Sequence, residues 1–239
     1  MATYNGGRYV RRQLETILPQ LEGGDEVVIS DDGSTDDTVA IVESLHDPRI
    51  RLLTGHAFRD PIRNFEHSLR HARGDVVVLS DQDDVWLDNK LPLVRELFAG
   101  EGRRPFLVVL DAHVVDEDDR SVVHPSVLEK LKAGPGILRN LWTNRYLGCC
   151  MAFSSDLLDA ALPFPPRIPM HDMWLGQLCE RIGTTRFVPV ATMRYRRHAG
   201  NVTGFEIRFE PVAQVARRVN LALALLRRVL RARYVTSPR

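Results

Sequence analysis

Three carboxylates fall within four residues at Asp81, Asp83 and Asp84, in the segment Ser80-Asp81-Gln82-Asp83-Asp84 that directly follows the apolar run 76–79. Like charges so close repel one another unless a hard divalent cation neutralises them. Mg²⁺ or Mn²⁺ prefers such oxygen donors together with substrate phosphates, and as a Lewis acid it stabilises a departing diphosphate. The plainer alternative is a solvated acidic loop that caps the next helix. A second acidic pair, Asp31-Asp32, opens the turn Gly33-Ser34-Thr35. Its carboxylates offer acceptors to a base or a ribose, while Gly33 permits a tight turn. Ser34, Thr35 or Asp36 there also suits a helix N-cap, and the two roles are compatible.

Two further clusters carry chemistry. His171-Asp172 follows a loop punctuated by Pro163, Pro165, Pro166 and Pro169. An acid at such a loop-to-helix junction is either an N-cap or a general base aimed into a cleft. Tyr195-Arg196-Arg197-His198 combines arginines that can grip phosphate bidentately with a histidine able to bind a metal or carry a proton. A structural histidine is the simpler alternative.

The elements that must position these clusters are legible from periodicity. Val10, Leu14, Ile17, Leu18 and Leu21 share one helical face. Val39, Ile41, Val42 and Leu45 mark a second helix, Ile62, Phe65 and Leu69 a third, and residues 91–98 a fourth. Short apolar runs at 26–29, 50–53, 76–79 and 106–110 read as strands between them. Such alternation predicts a single α/β domain with a mostly parallel sheet flanked by helices, whose ligands sit beyond the carboxyl ends of the strands. Both acidic clusters lie at those ends. Beyond residue 110 the pattern loosens into long loops, with a strand at 149–153, a helix at 173–182 and a strand at 186–190. The start leaves little room for a first strand before the Asn5-Gly6 turn, which points to a truncated start.

From Pro211 onward Val212, Val215, Val219, Leu223, Leu226 and Leu230 form an apolar stripe, with Arg217, Arg218, Arg227, Arg228 and Arg231 on the remaining surface. Residues 1–205 are therefore expected to form the catalytic domain, and 206–239 a basic amphipathic helix and tail. Contact of that helix with an anionic membrane is one expectation; packing on the domain, or on a second subunit in a homodimer, is the other. The 239-residue chain has a net charge of +1, 44% hydrophobic and 26% charged residues. This balance gives no general drive toward nucleic acid. Cys149, Cys150 and Cys179 make neither a disulfide framework nor a zinc motif. No signal segment and no apolar run of about 18 residues is present. A cytoplasmic protein, peripheral at most to the inner face of the plasma membrane, is expected. Only Lys90, Lys130 and Lys132 are lysines, which reads as genome composition.

In order along the chain, the segments Ala2-Thr3-Tyr4-Asn5-Gly6, Ser30-Asp31-Asp32-Gly33-Ser34-Thr35, Ser80-Asp81-Gln82-Asp83-Asp84-Val85-Trp86, Gly148-Cys149-Cys150-Met151-Ala152-Phe153, His171-Asp172-Met173-Trp174 and Tyr195-Arg196-Arg197-His198 resemble family 2 glycosyltransferases of GT-A fold. The likeness is greatest to the rhamnosyltransferase-like branch and covers residues 2 to 203. It implies an inverting transfer of a sugar, with rhamnose suggested by the branch, from a dTDP- or UDP-linked donor. The acceptor it implies is a hydroxyl of a glycan or lipid-linked saccharide, and the cofactor Mg²⁺ or Mn²⁺. By the same likeness Thr3, Tyr4, Asp31 and Asp32 hold the nucleotide. Asp81 and Asp83 are the acids of the DxD motif, with Asp83 the direct metal ligand and Asp81 facing both donor and metal. Asp172 is the catalytic base, His171 its rival, His198 a neighbour of metal and phosphates, and Arg197 a donor contact where many relatives carry glutamine.

Other functions were weighed on the same residues. A phosphatase of the haloacid dehalogenase type needs a carboxylate two residues before Asp32, where Ser30 stands. A nucleotidyltransferase of related fold needs a glycine-rich basic loop near the first strand, of which Asn5-Gly6-Gly7-Arg8 is a weak form. A non-catalytic nucleotide-sugar-binding protein would not need the acids at Asp83 and Asp172.

Overall fold

The computed structural model describes residues 1–198 and 211–235. In chain order the elements are β1 (Ala2–Thr3), α1 (Val10–Ile17), β2 (Val27–Asp31), α2 (Thr38–Glu43), β3 (Ile50–Leu53), α3 (Pro61–His71), β4 (Val76–Val78), β5 (Val85–Trp86), α4 (Lys90–Phe98), β6 (Phe106–Val115) and β7 (Val122–His124). There follow α5 (Val127–Lys130), α6 (Ile137–Trp142), β8 (Met151–Ser154), α7 (Ser155–Ala161), α8 (His171–Ile182), β9 (Thr184–Arg196) and α9 (Pro211–Val235).

The strands form two sheets. The first is parallel, in the order β1-β2-β3, as the strand–helix alternation predicts. The second runs β4-β8-β6-β9-β5 with β7 on β6, and it is mixed. Only β6 and β9 pair in parallel; β4–β8, β8–β6, β9–β5 and β6–β7 are antiparallel. The expectation of a mostly parallel sheet thus holds up to β3 and for the β6–β9 pair. The regular alternation that signals parallel crossovers stops after residue 110, and apolar runs alone do not report strand direction.

β6 is buried almost throughout and forms the centre of the core with β8 and α8. Several elements exceed their sequence signal. β9 extends from the expected 186–190 to Thr184–Arg196, carrying the Tyr195-Arg196-Arg197-His198 cluster to the acidic loop. α8 begins at His171 rather than 173 and places Asp172 in its first turn. The region read as loops holds α5, α6 and α7. β1 is only two residues long, yet it is in register with β2, Ala2 opposite Ser30 and Thr3 opposite Asp31, which suffices to place Thr3. The Met1 ammonium is buried and donates to the Val28 carbonyl (2.7 Å); burial pulls its pKa down to about 5.

The boundary expected at 205/206 lies outside the described residues. α9 packs against α8, but not through its sequence-evident stripe. Leu221 and Leu225 are buried, whereas Val215, Val219, Leu223, Leu226 and Leu230 are exposed. Arg228 fastens the helix by donating to the carbonyls of Ala160 (2.8 Å), Leu162 (2.7 Å) and Pro163 (2.6 Å), where the last turn of α7 leaves acceptors open. Truncating a buried leucine costs about 2 kcal/mol or more. In a chain of this size Leu221→Ala is therefore expected to lower the thermal midpoint by roughly 4–8 °C. Leu223→Ala, on the open face, leaves it within about 1–2 °C, equal to a change under ~0.5 kcal/mol. Thermal denaturation of the two variants side by side checks which face is packed.

Candidate active site

Three loops meet at the carboxyl ends of β1, β2 and β4, and side chains staple them together. Gln82 bridges to the β1 loop as a reciprocal amide pair: Tyr4 donates its N–H to Oε1 (2.9 Å), and Nε2 donates to the Tyr4 carbonyl (3.0 Å). A Cβ on Gly6 would lie 2.2 Å from Gln82 Oε1, so only glycine lets that approach occur. Asn5, in left-handed backbone (φ +48°), donates its N–H to Ser34 Oγ (2.8 Å) and accepts the Thr35 N–H (2.8 Å). Gly6 and Gly7 give their N–H groups to Thr38 Oγ1 and Asp36 Oδ2. That glycine pair is thereby committed internally and is not an open phosphate loop of the nucleotidyltransferase kind.

Asp31 and Asp32 are buried, and both scaffold this edge. Asp31 accepts Thr3 Oγ1 (2.8 Å), the Ser34 N–H (2.9 Å) and Ser34 Oγ (2.6 Å). Asp32 accepts the backbone N–H groups of Phe58 and Asp60, drawing in the segment after β3. Tyr4 stands beside them, 51% exposed as a residue, with an aromatic side chain suited to a planar ligand. The four residues assigned to the nucleotide are thus brought to one place.

The acidic loop follows β4. Asp83 pairs with His198 Nε2 (2.8 Å), whose ring stacks on Tyr9 at 5.0 Å. Asp81 faces the other way, toward Asp84 and Cys149, and the three ligand atoms lie within 4.8 Å of one another. Burial, followed by the charges of Asp83 and Asp172, pushes the Asp81 carboxyl up to about 7. Asp84 is 1% exposed; burial and then Asp83 and Asp81 raise it well above the carboxylate range. Its Oδ1 accepts the Arg196 N–H (3.2 Å), and its Oδ2 meets no donor among the described residues.

Crowded carboxylate oxygens and a buried orphan oxygen suit a hard divalent cation. The grouping whose ligand atoms converge among the described residues is Asp81, Asp84 and Cys149, and it includes a soft thiol. Burial holds that thiol well above its usual range and keeps it protonated, so it is a poor partner for such an ion. Asp83 and His198 pair with each other outside that grouping.

Lys90, fully buried, underlies the cluster. Its ammonium donates to the Cys149 carbonyl (2.7 Å), contacts Met193 Sδ (3.2 Å) and sits 4.4 Å from the centre of the Trp86 ring. Burial pulls its pKa down while the acids hold it up. Arg196 ties the same loop from above, Nε to the Asp83 carbonyl (2.8 Å) and Nη1 to the Glu117 carbonyl (2.7 Å). Arg197, the arginine expected at the donor, is half-buried and gives its backbone N–H to Val115 (3.0 Å).

Asp172 comes from a different element. It lies in the first turn of α8, where the helix dipole favours the ionised form. Asn144 Nδ2 donates to its Oδ1 (2.9 Å), as does the Met173 N–H (2.5 Å). Burial still prevails and lifts the carboxyl to about 6. His171 does not compete as a base. It is buried, stacked on Phe65 at 4.1 Å, both ring nitrogens lack a partner among the described residues, and burial lowers its pKa to about 3. The ordinary histidine pKa that made it a rival is lost when the imidazolium cannot be solvated. It packs closely enough that a Cβ on Gly148 would come within 2.9 Å of Nε2.

Asp84, Gln82, Cys149, Arg196, Lys90 and Asn144 all shape the site without a specific role in the sequence reading. The first four sit inside recognised motifs. Lys90 had a signal, as a lysine in an arginine-rich chain. Asn144 had none.

Comparison with known proteins assigns the chain. The profile described as Glycosyl transferase family 2 matches residues 1–160. The chain belongs to glycosyl transferase family 2. An Escherichia coli protein, the UDP-Glc:alpha-D-GlcNAc-diphosphoundecaprenol beta-1,3-glucosyltransferase WfaP, is 30% identical over 85% of this chain and 78% of its own. A Nostoc glycosyltransferase, alr2836, is 27% identical over 70% of this chain, and the Shigella flexneri dTDP-rhamnosyl transferase RfbG 34% identical over 38%. The chain spans only 53% and 34% of the lengths of these two. Among solved structures, S. aureus TarS 1-349 in complex with UDP-GlcNAc superposes with a TM-score of 0.64 at 20% identity, covering 84% of this chain and 58% of that one. The Pyrobaculum calidifontis mannosyltransferase PcManGT, in complex with GDP-Man and Mn²⁺, gives 0.61 at 19% identity over 100% and 74%. The fold is GT-A, as the motif resemblance implies.

The position of Lys90 leads to a prediction. Removing one member of a buried charged group typically costs about 3–5 kcal/mol, so Lys90→Met is expected to lower the thermal midpoint by roughly 6–20 °C. Differential scanning calorimetry checks this.

Proposed function

We propose that this protein is an inverting, metal-dependent glycosyltransferase that moves a sugar from a UDP- or dTDP-linked donor to a hydroxyl of a lipid-linked or growing surface saccharide at the cytoplasmic face of the membrane. The observation that carries the reading is the division of acids. Asp83 and Asp81 occupy one loop with His198, and Asp172 approaches from the start of α8, each held by its own donors. The nucleotide-sugar and Mn²⁺ complexes of the structural neighbours support the donor and the ion. The undecaprenol-linked acceptor in the name of the E. coli relative supports the acceptor class.

In this reading Tyr4 stacks with the base, while Thr3, Asp31 and Asp32 define the ribose edge. Asp83, with His198 and Asp81, holds Mg²⁺ or Mn²⁺, which when bound takes up charge on the departing diphosphate. Arg197 is assigned to the donor phosphates on the motif resemblance alone. An acceptor alcohol is a weak nucleophile near neutral pH. Asp172 takes its proton as the new bond forms at the anomeric carbon, a contribution of about 10² to 10⁴ in rate. A carboxyl near pKa 6 suits this task, being a stronger base than an ordinary aspartate and still ionised at neutral pH.

The experiment is a panel of nucleotide sugars assayed for transfer and for nucleoside diphosphate release, with and without Mn²⁺. Asp172→Asn is expected to lose two orders of turnover or more, in line with a general base worth about 10²–10⁴, while binding donor and metal as the parent does. Normal turnover in that variant, with His171→Ala inactive, would overturn the assignment. Asp83→Asn should retain the fold, lose transfer, and lose the Mn²⁺ dependence of donor affinity, since a neutral amide is a poorer ligand for a hard cation. Full activity after EDTA dialysis would rule out the metal.

The pH dependence has a definite sign. The base acts when ionised, so kcat/KM should climb with pH through about 6 and level off above it. An Asn144→Ala variant removes a donor to the ionised form, and its rising limb should lie at higher pH. Rate profiles of parent and variant between about pH 5 and 8 read both.

A further inference from the structure

α9 has two apolar faces, and the fold uses one. Leu221 and Leu225, 0% and 1% exposed, pack on the catalytic domain. Val215, Val219, Leu223, Leu226 and Leu230, each 47–56% exposed, do not. At 3.6 residues per turn these five fall within an arc of about 80°, whose middle is about 140° around the helix from the packed leucines. They make a continuous strip about 22 Å long at 1.5 Å per residue. Five large apolar side chains in one strip form a patch that a water-facing surface helix does not need.

The charges around the strip indicate what covers it. Residues 211–235 contain six arginines and no Asp or Glu, whereas the rest of the chain has 26 basic and 31 acidic residues. The positive charge is thus segregated onto this one helix of an otherwise acidic protein. Arg227 is exposed about 40° beyond the edge of the strip, while Arg217, also exposed, lies about 120° beyond it. Arg218 and Arg228 are turned to the domain, contacting Met173 Sδ and the end of α7. A second copy laid strip to strip would offer no acid from either helix to offset Arg227 and its symmetry mate. An anionic lipid surface meets both requirements: headgroup phosphates for the guanidiniums and acyl chains for the leucines. No described helix is long and apolar enough to cross a membrane, which leaves the helix to lie in the interface plane.

We propose that the outward face of α9 docks the protein on an anionic phospholipid bilayer. The docked face is coupled to the site by its inner side. Arg218 contacts Met173, the residue after Asp172, and its charge and that of Asp172 attract one another. A helix lying flat on the bilayer therefore holds the start of α8, with Asp172, one helix layer from the headgroups. This bears on a lipid-linked acceptor and to that extent rests on the proposed function; the docking does not require it.

Flotation of the full chain with vesicles tests the proposal without an activity readout. Vesicles of phosphatidylcholine alone are compared with vesicles containing one-third phosphatidylglycerol, at about 0.05 M and 0.5 M salt. The expected result is flotation with the anionic vesicles at low salt, reduced at least tenfold at high salt, and little with phosphatidylcholine. Arg227→Glu should lower partition about fivefold or more, at roughly fivefold per arginine, and Arg217→Glu, on the far side of the helix, by less. Val219→Ser/Leu223→Ser/Leu226→Ser should abolish flotation with the thermal midpoint unchanged, since none of the three is buried.

Absence of flotation by the parent with anionic vesicles at low salt overturns the proposal. So does a parent dimer in sedimentation equilibrium that the triple serine variant splits, with flotation unaffected. Nucleoside diphosphate release by the same preparations keeps a failure of docking distinct from a failure of the transferase reading.

Discussion

The structure turns on the confinement of negative charge. Asp81, Asp83, Asp84 and Asp172 are drawn toward one partly desolvated space, where like charges repel far more strongly than in water. Every unusual neighbour of the site answers that repulsion. Lys90 is buried beneath the loop, Arg196 spans its backbone, His198 faces Asp83, and the Cys149 thiol stays protonated between two acids. Burial, joined at Asp81 by the charges of Asp83 and Asp172, raises the carboxyl pKa values, to about 7 at Asp81 and about 6 at Asp172. A polypeptide gains nothing in stability from such crowding. On the proposed function it is preorganisation for a cation and for proton transfer, with the cost met by folding before any ligand arrives.

The same economy governs the nucleotide edge. Asp31 and Asp32 were legible as acceptors for a ligand, and the structure shows them occupied by Thr3, Ser34, Phe58 and Asp60. Their role is first to fix three loops in one geometry, leaving Tyr4 exposed. Because Gln82 belongs to the acidic loop and grips Tyr4 at both its N–H and its carbonyl, a shift in either loop is felt by the other. On the proposed function, this rigid coupling would keep a diphosphate spanning the two loops in one pose.

Motifs set by local backbone demands were readable from the sequence. The strand-to-acid-to-turn pattern at Ser30–Gly33 and at Ser80–Asp84 locates two loops of the site, and a proline-rich loop ahead of Asp172 locates the third. Contacts between distant segments left no periodic trace. Asn144 reaches Asp172 from an irregular stretch, and the chain from residue 111 to 170 builds three short helices whose apolar positions are too few to set a period. Direction within the second sheet was equally silent, because a fully buried strand reads the same in either sense. The burial of His171 against Phe65, which lowers its pKa to about 3, likewise left no mark in the sequence. The stripe in α9 was correctly seen as apolar, but amphipathicity names a face without naming its partner.

Lys90 has a consequence for how this sequence can drift. Almost every other basic position in the chain is arginine, so substitution pressure toward arginine has had ample opportunity here. The enclosed ammonium is satisfied by one carbonyl, a thioether sulfur and the face of an indole. A guanidinium at that position would bring five N–H donors in a rigid plane into a space that supplies a single strong acceptor. A neutral side chain would leave the acids above it without a buried cation. The position is therefore a poor one for both the commonest basic replacement and the commonest apolar ones.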